Sequence, residues 1–265
     1  MRGLPIGTHV TDEGNGVTYR LDEHLGQGGF GTAYRAVELN SNDGVKRNSD
    51  TCLKLSSYAE QWHGEVYFGN LLRDVGHVVE LKSAFPTTVI QGGKRRTVFA
   101  INMEWIADGT VRDECKRGRS GWTEAQVCRR VRLLLRPLVL LHSMGVSHRD
   151  ITPPNVFVGN LKVLKLGDFG ITKAQLKPSG VHADMLNEAF APRDLGTWWR
   201  PADDVYQVGL LMATLVSGRE FYTGVSKPEI NQITIKGKLR DAIKAALSVK
   251  SQRPQTAATL ASMLA

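Results

Sequence analysis

The sequence predicts an α+β protein in which a mainly β half precedes a mainly α half. Up to Glu104, short runs alternate apolar and polar residues or are rich in β-branched residues, which is typical of strands. After Glu104, apolar residues recur at helical spacing over longer segments. The 265 residues are enough for one large domain or two small lobes.

Five runs of the first half are predicted to be strands: residues 19–25, 32–39, 51–57, 78–85 and 96–105. Residues 58–75 carry the helical pattern of this half. The polar stretch 39–50 is predicted to be a loop, and residues 90–97, which contain Gly92 and Gly93, a hairpin turn.

Two long helices are predicted in the second half. Residues 122–145 begin with Thr123 and Gln126 at capping-box spacing, and Pro137 predicts a kink or a local break. Residues 203–218 form the second helix, ended by Gly218. The last fifty or so residues are predicted to be helical with loops.

The composition excludes several classes of protein. Hydrophobic residues make up 42% and charged residues 23%, as in ordinary globular proteins. No apolar run reaches about 18 residues, and the N-terminus lacks the apolar segment of a secretory signal, so neither a membrane span nor secretion is predicted. The 3 cysteines form no CxxC pair, which favours reduced thiols in a cytoplasmic protein.

The net charge of +8 is unevenly distributed. Residues 112–136 hold eight basic residues against three acids, which leaves two interpretations open: the solvated face of a helix, or a patch for an acidic partner. No basic motif interleaved with aromatic residues supports nucleic-acid binding. The basic residues are Arg112, Lys116, Arg117, Arg119, Arg129, Arg130, Arg132 and Arg136.

Two features of the first half suit phosphate binding. Gly26, Gly28 and Gly31 have GxGxxG spacing, and the segment that follows alternates like a strand, so a strand–turn–strand lid over phosphates fits better than a turn that opens a helix. Lys54 lies in an apolar strand, where a buried ammonium requires an anion. Its candidate partners are Glu65 and Glu60.

Three residues of the second half suit general-base and metal chemistry. Asp150 could accept a proton, and the amide oxygen of Asn155 suits magnesium; Pro153 and Pro154 exclude a helix between them. Asp168 lies between Gly167 and Gly170, just after an apolar strand, and an acid at such a strand end is a candidate metal ligand. Each of these patterns is also common in structural turns.

Together, in this order, these motifs resemble the signature set of the eukaryotic-like (Hanks-type) protein kinases. The separation of 18 residues between Asp150 and Asp168 is usual in that family. The resemblance extends from about Tyr19 to the end of the chain, and the glycine loop looks most like that of bacterial-type serine/threonine kinases.

The resemblance implies one bilobal kinase domain over residues 1–265. The small, mainly antiparallel β N-lobe would cover about 17–104 and carry one main helix, the hinge about 104–109, and the larger, mainly α C-lobe about 110–265.

The resemblance also implies the roles of single residues. Lys54 would hold phosphates and pair with Glu65, which the family's spacing to the next strand favours. Asn155 and Asp168 would bind Mg²⁺, and Asp150 would orient and deprotonate the substrate hydroxyl. The implied ATP contacts are Leu25, Gly26, Gly28, Gly31, Ala33, Cys52, Lys54, Met103, Glu104, Ile106 and Phe157.

Residues outside the reacting centre also have implied places. His148 and Phe169 would pack in the core, and Asp204 would brace the catalytic loop, which carries Asp150 and Asn155. Arg149 suggests control by phosphorylation of the activation segment between Gly170 and Ala191, whose hydroxyls are Thr172 and Ser179. Of these two, Ser179 is the predicted switch, unless none is needed.

Three departures from the family pattern lie on the side that we expect to face the acceptor. Thr152 stands in place of a lysine, Leu186 near the place of a threonine, and Arg193 in place of the glutamate that should meet Arg253. Two arginines cannot pair, so either the local structure differs or Asp194 substitutes.

The leading hypothesis is therefore an ATP- and Mg²⁺-dependent protein kinase acting on serine and threonine. The departures motivate an alternative, a pseudokinase or ATP-gated binding module. A third hypothesis is a small-molecule kinase of the same fold. Thr152 and Pro154 occupy places where tyrosine kinases carry arginine, so tyrosine specificity gains no support.

Overall fold

The computed structural model describes residues 3–29, 31–118, 121–174, 181–182, 186–224, 227–233 and 235–265. The chain divides into two compact units. The first comprises Met1–Arg73 and Val79–Trp105, and the second comprises Asp74–Val78 and Ile106–Ala265.

The first unit is built on a six-stranded antiparallel sheet of order β1-β2-β3-β4-β6-β5. The strands are β1 His9–Asp12, β2 Val17–Gly28, β3 Gly31–Leu39, β4 Val45–Ser56, β5 Leu81–Gln91 and β6 Lys94–Glu104. The five predicted strands are confirmed as β2 to β6, and the hairpin turn at Gly92 and Gly93, both at positive φ, is confirmed as well. β1, which pairs with β2, is an addition to them.

The stretch 39–50 was predicted to be a loop, and this prediction is wrong for its second half, because β4 begins at Val45. Cross-strand pairs with β3 stabilise these polar residues: Arg35 lies 2.7 Å from Asp50, and Lys46 lies 2.7 Å from Glu38. Pairing with a neighbouring strand therefore outweighs the low β-propensity of the segment.

Alternating side chains of the sheet form the core of the first unit. Helix α1, Ala59–Leu71, packs against β5 and β6. The Trp62 indole donates a hydrogen bond to the backbone oxygen of Ala100, 2.9 Å away, which fixes the helix to β6. The buried core residues are Leu4, Val10, Tyr19, Leu21, Tyr34, Ala36, Leu53, Leu55, Phe85, Val89, Val98 and Ala100.

The second unit is mainly helical. Its helices are α2 Val111–Lys116, α3 Glu124–Ser143, α4 Pro201–Ser217, α5 Lys227–Gln232, α6 Gly237–Ala246 and α7 Ala257–Met263. Its short antiparallel pairs are β7 Val146–Ser147 with β10 Lys173–Ala174, β8 Val156–Gly159 with β9 Val163–Leu166, and β11 Val181–His182 with β12 Trp198–Trp199. Every residue of α4 from Ala202 to Leu215 is buried, so this helix is the centre of the unit.

The two long helices begin and end largely as predicted. The capping box of Thr123 and Gln126 is present at the start of α3, and α4 ends at Gly218, which has a φ of 74°. Of the kink or local break predicted at Pro137, the break is wrong, because α3 continues from Glu124 to Ser143. Pro137 removes one backbone donor, but Leu134, Leu138 and Leu141 on both sides of it are fully buried, and this packing keeps the helix continuous.

Candidate active site

The glycine turn of the first unit has the predicted strand–turn–strand form. β2 ends at Gly28 and β3 begins at Gly31, and these two residues are cross-strand partners. A Cβ on Gly31 would lie 2.6 Å from the backbone oxygen of Leu55, so close packing requires glycine there. A Cβ on Gly26 or Gly28 would meet no atom of the described residues within 4 Å. These two glycines therefore leave the backbone open to the close approach of another molecule.

Lys54 and Glu65 form a half-buried ion pair within the first unit. The ammonium of Lys54 on β4 lies 2.8 and 3.0 Å from the two carboxylate oxygens of Glu65 on α1. The side chains are 14% and 7% exposed, so little water screens the pair. The structure brings Lys54 together with Glu65, and the other candidate, Glu60, is exposed. Ala33 is the cross-strand neighbour of Lys54.

The other predicted ATP contacts of the first unit lie on β2, β4 and β6. Cys52 on β4 pairs with Met103 on β6, and burial raises the pKa of its thiol to about 11. The thiol therefore stays protonated and forms an apolar surface. The backbone N–H of Glu104 donates to the oxygen of Glu80 at 2.9 Å, so its N–H is already used. Leu25, on β2, is 37% exposed.

Ile106 and Phe157 belong to the second unit. Ile106 is buried, and its backbone oxygen accepts a hydrogen bond of 3.0 Å from Gly109. Phe157 is half-buried on β8, where it pairs with Lys165 and forms a bridge with Thr110.

The loop that carries Asp150 and Asn155 is held by Asp204 of α4. Its carboxylate accepts hydrogen bonds from the backbone N–H groups of His148 (2.8 Å) and Arg149 (2.9 Å). The indole of Trp199 and the ring of His142 also contact it, both at 2.9 Å. Burial raises the pKa of Asp204, but the hydrogen bond from His142 and the other donors hold it below its ordinary value, so the carboxylate is charged.

Asp150 and Asn155 are in direct contact. The side-chain nitrogen of Asn155 donates to the backbone oxygen of Asp150 at 3.0 Å and to its carboxylate at 2.7 Å. The two prolines do exclude an α-helix, but Pro153–Asn155 forms a single 3₁₀ turn, which was not predicted. This turn returns the amide of Asn155 to Asp150.

The same contact directs the amide oxygen of Asn155 away from Asp150, where it is suited to a cation. The backbone N–H of Gly167 donates to the backbone carbonyl oxygen of Asn155 at 2.9 Å, which brings the next residue, Asp168, beside the loop. Asp168 has a φ of 59°, uncommon for a residue other than glycine. One amide and one carboxylate oxygen fit a hard divalent ion that takes its remaining ligands from phosphate and water. Among the described residues, no group of three or more His, Cys, Asp or Glu side chains could hold a metal ion by itself.

His148 packs as predicted. Its ring lies 4.9 Å from the ring of Phe169, and the residue is fully buried. Burial lowers the pKa of His148, so its ring is neutral at physiological pH. Its Nδ1 accepts a hydrogen bond of 3.3 Å from the backbone N–H of Asp150, which gives it a structural role next to that residue.

Thr152 does not face outwards, and the expectation that it faces the acceptor is wrong. It is fully buried, its N–H donates to Asp150, and its backbone oxygen accepts from Asn155. The hydroxyl has no hydrogen-bond partner among the described residues. A small side chain fits this interior position, where a lysine would have to be extended out of it.

Of the two explanations for Arg193, the substitution by Asp194 is confirmed. Arg253 lies 2.9 Å from Asp194 and 3.0 Å from Asp203, so its guanidinium has two acidic partners. Arg193 is exposed and lies close to Gly224. The acid has therefore moved by one residue while the ion pair is kept. Ser179, the predicted switch, lies outside the described residues.

Two buried polar residues of α4, Asp203 and Gln207, and one lysine, Lys250, also support the site, and the sequence motifs did not predict them. Gln207 accepts the N–H of Ile151 at 2.8 Å, Asp203 is fully buried, and Lys250 lies 2.7 Å from Asp203. Asp203, Asp204 and Gln207 lie on one side of a mainly apolar helix. Because buried polar residues need partners, that pattern could have indicated Asp203 and Gln207.

The basic segment 112–136 is partly used inside the second unit. Arg112 pairs with Glu220 at 2.9 Å, and Arg130 donates to the backbone oxygen of Leu161 at 2.7 Å. Arg129, Arg132 and Arg136 are exposed along one side of α3. In the part of the chain that is described, no helix is long and apolar enough to cross a membrane.

Comparison with known proteins agrees with this geometry. Residues 19–264 match the family model of the protein kinase domain. Calcium-dependent protein kinase 24 of Oryza sativa subsp. japonica is 27% identical over 229 residues, which are 83% of this chain and 42% of that protein. Calcium-dependent protein kinase 1 of Arabidopsis thaliana is 29% identical over 207 residues, 76% of this chain and 32% of that protein. The chain thus spans less than half the length of these relatives, and it belongs to the protein kinase family.

Proposed function

We propose that this chain transfers the γ-phosphoryl group of ATP to serine and threonine hydroxyls of protein substrates. The observation that carries the proposal is the contact between Asp150 and Asn155, which holds a proton acceptor and a metal-ligating amide in one loop. The ion pair of Lys54 and Glu65 supports it independently, from the first unit of the chain.

The proposed roles follow from the chemistry of each side chain. The carboxylate of Asp150 would orient the acceptor hydroxyl and take its proton. Glu65 would hold the ammonium of Lys54 in place to bind phosphate oxygens. Asn155 and Asp168 would hold the divalent ion, which we infer to be Mg²⁺ from their hard oxygen ligands. That ion would neutralise negative charge on the phosphates.

The alternative, a pseudokinase or ATP-gated binding module, loses part of its motive. Arg193 motivated it because the ion pair with Arg253 could not form, and Asp194 forms that pair instead. The departures at Thr152 and Leu186 remain. We expect them to lower the rate of transfer rather than to abolish it, because no ATP or metal position is lost.

Three finer expectations remain predictions. The glycine loop predicts that the chain is most similar to bacterial-type serine/threonine kinases, although the relatives named above are plant kinases. We propose a cytoplasmic location from the reduced cysteines. We also propose that the exposed arginines of α3, Arg129, Arg132 and Arg136, attract an acidic partner.

Phosphoamino-acid analysis tests the proposal. The chain is incubated with radiolabelled ATP, Mg²⁺ and unstructured protein substrates, and Lys54→Met is the control. We expect labelled phosphoserine and phosphothreonine from the wild type and strongly reduced label from the variant. Phosphotyrosine as the main product would refute the assigned specificity, and ATP binding without labelled protein would favour the pseudokinase.

A further inference from the structure

Four charged residues of the second unit form a closed ring, three sides of which are ion pairs and the fourth a backbone hydrogen bond. Arg253 lies 2.9 Å from Asp194 and 3.0 Å from Asp203, and the ammonium of Lys250 lies 2.7 Å from Asp203. The backbone N–H of Lys250 donates to Asp194 at 2.6 Å and closes the ring. Acids and bases therefore alternate, and the ring joins segment 194–199 to the first turn of α4 and to the loop before α7.

Lys250 reaches further than its acidic partner. Its ammonium also donates to the backbone oxygens of Leu195 and Trp198, both at 3.3 Å. An ammonium has three protons, so these three acceptors use all of its donors. The side chain of Asp203 is fully buried, and removing the lysine charge would leave that carboxylate with less compensation. Lys250 thus fixes the turn from Leu195 to Trp198.

That turn is connected, through Trp199 and Asp204, to the loop that carries Asp150. Trp199 follows it, and its indole N–H donates to Oδ1 of Asp204 at 2.9 Å. The same oxygen accepts the backbone N–H of Arg149 at 2.9 Å, and Arg149 precedes Asp150. Trp199 is fully buried, so packing around its ring restricts the side chain to this orientation.

We propose that Lys250 and Trp199 are positioning residues for Asp150. Lys250 holds the turn, the turn holds Trp199, and Trp199 orients the carboxylate of Asp204 that holds the backbone next to Asp150. Neither residue belongs to the pair of Arg253 with an acid that the family resemblance implies. The catalytic consequence rests on the proposed function, whereas the structural consequence does not.

Three variants test the inference. Trp199→Phe keeps an aromatic ring, although a smaller one, and removes the indole N–H donor; Lys250→Met removes the charge, and Lys250→Arg keeps it. We expect kcat to fall about tenfold in Trp199→Phe and in Lys250→Met, with unchanged affinity for MgATP, and to recover substantially in Lys250→Arg. Lys238→Met removes an exposed lysine of α6 and should leave kcat unchanged.

Hydrogen exchange gives a readout that needs no activity. The amides of residues 146–152 should exchange faster in Trp199→Phe and in Lys250→Met than in the wild type or in Lys238→Met. Unchanged exchange in this segment overturns the inference, as does an unchanged kcat in either variant. A kcat loss that Lys250→Arg does not recover, or that comes with weaker MgATP binding, also overturns it, because it indicates general damage. A wild type that transfers no phosphate refutes the proposed function alone.

Discussion

Two regions of the chain keep the family pattern in different ways. The first region comprises the residues expected to contact ATP, and the second comprises the residues that follow Asp168. In the first region, each position holds the expected side chain, and Lys54 meets Glu65 at 2.8 Å. In the second region, Arg193 stands where an acid is expected, and Asp194 provides the charge from the next position.

The difference indicates what each region must supply. A phosphate contact depends on where one ammonium or one N–H lies, so its residues cannot move along the chain without losing the contact. An ion pair that ties a loop to a helix needs opposite charges within reach, and a neighbouring residue can provide them. A departure from the family pattern in the second region is therefore weak evidence against activity.

The largest effect in this comparison is expected in the first region. Glu65→Gln should lower kcat about a hundredfold, because Lys54 loses the anion that orients it in a partly buried place. Glu60→Gln is the matched control, since Glu60 is an exposed acid of the same helix, and it should stay near wild type. Steady-state kinetics with ATP and a protein substrate measures both. Equal losses in the two variants would mean that the pair has no special role.

A smaller effect is expected in the second region. Asp194→Asn should destabilise the chain by about 1 kcal/mol, because Arg253 keeps Asp203 but loses its other carboxylate. Arg193→Gln should change stability by less than about 0.5 kcal/mol, since Arg193 is exposed. Urea denaturation gives both values. If Arg193→Gln is the more damaging variant, the acid has not been moved to position 194.

The smallest effect concerns pH. Burial lowers the pKa of His148 from its ordinary value of 6.5, so the unfolded chain binds more protons than the folded chain below that pH. The stability provided by neutral His148 is complete above pH 6.5 and is lost as the pH falls towards the lower folded pKa.

Thermal unfolding at about pH 7.5 and about pH 5.5 measures this dependence. We expect the melting temperature to fall less on acidification in His148→Phe than in the wild type. His9→Phe, at an exposed strand position, should retain the full dependence. An identical fall in the wild type and in His148→Phe would contradict a neutral, buried His148.

Local sequence patterns predicted most of the elements. Alternation gave β2 to β6, and the capping box gave the start of α3. Patterns of this kind failed where long-range packing decides. The helix passes through Pro137 because its neighbours are buried, and β4 extends to Val45 because β3 pairs with it.

The predicted site residues came from motifs, and the residues that support them did not. Lys54 and its partner Glu65 are 11 residues apart, and Asp150 and its partner Asn155 lie in one loop, 5 residues apart. Lys250 and Asp203 are separated by 47 residues, and no local spacing indicates that they meet. The burial of Thr152 was not predicted for a different reason: the type of a single residue does not show which way a loop residue faces.

If Asp150 accepts the proton of the acceptor hydroxyl during phosphoryl transfer, a single-turnover assay shows this most directly. Wild type and Asp150→Asn are each preloaded with radiolabelled MgATP and mixed with a protein substrate. Asp150→Asn keeps the size of the side chain, so it should bind MgATP as the wild type does and transfer phosphate at least about a hundredfold more slowly. Equal rates of transfer in the two proteins, or no transfer by a wild type that binds MgATP, would contradict the account.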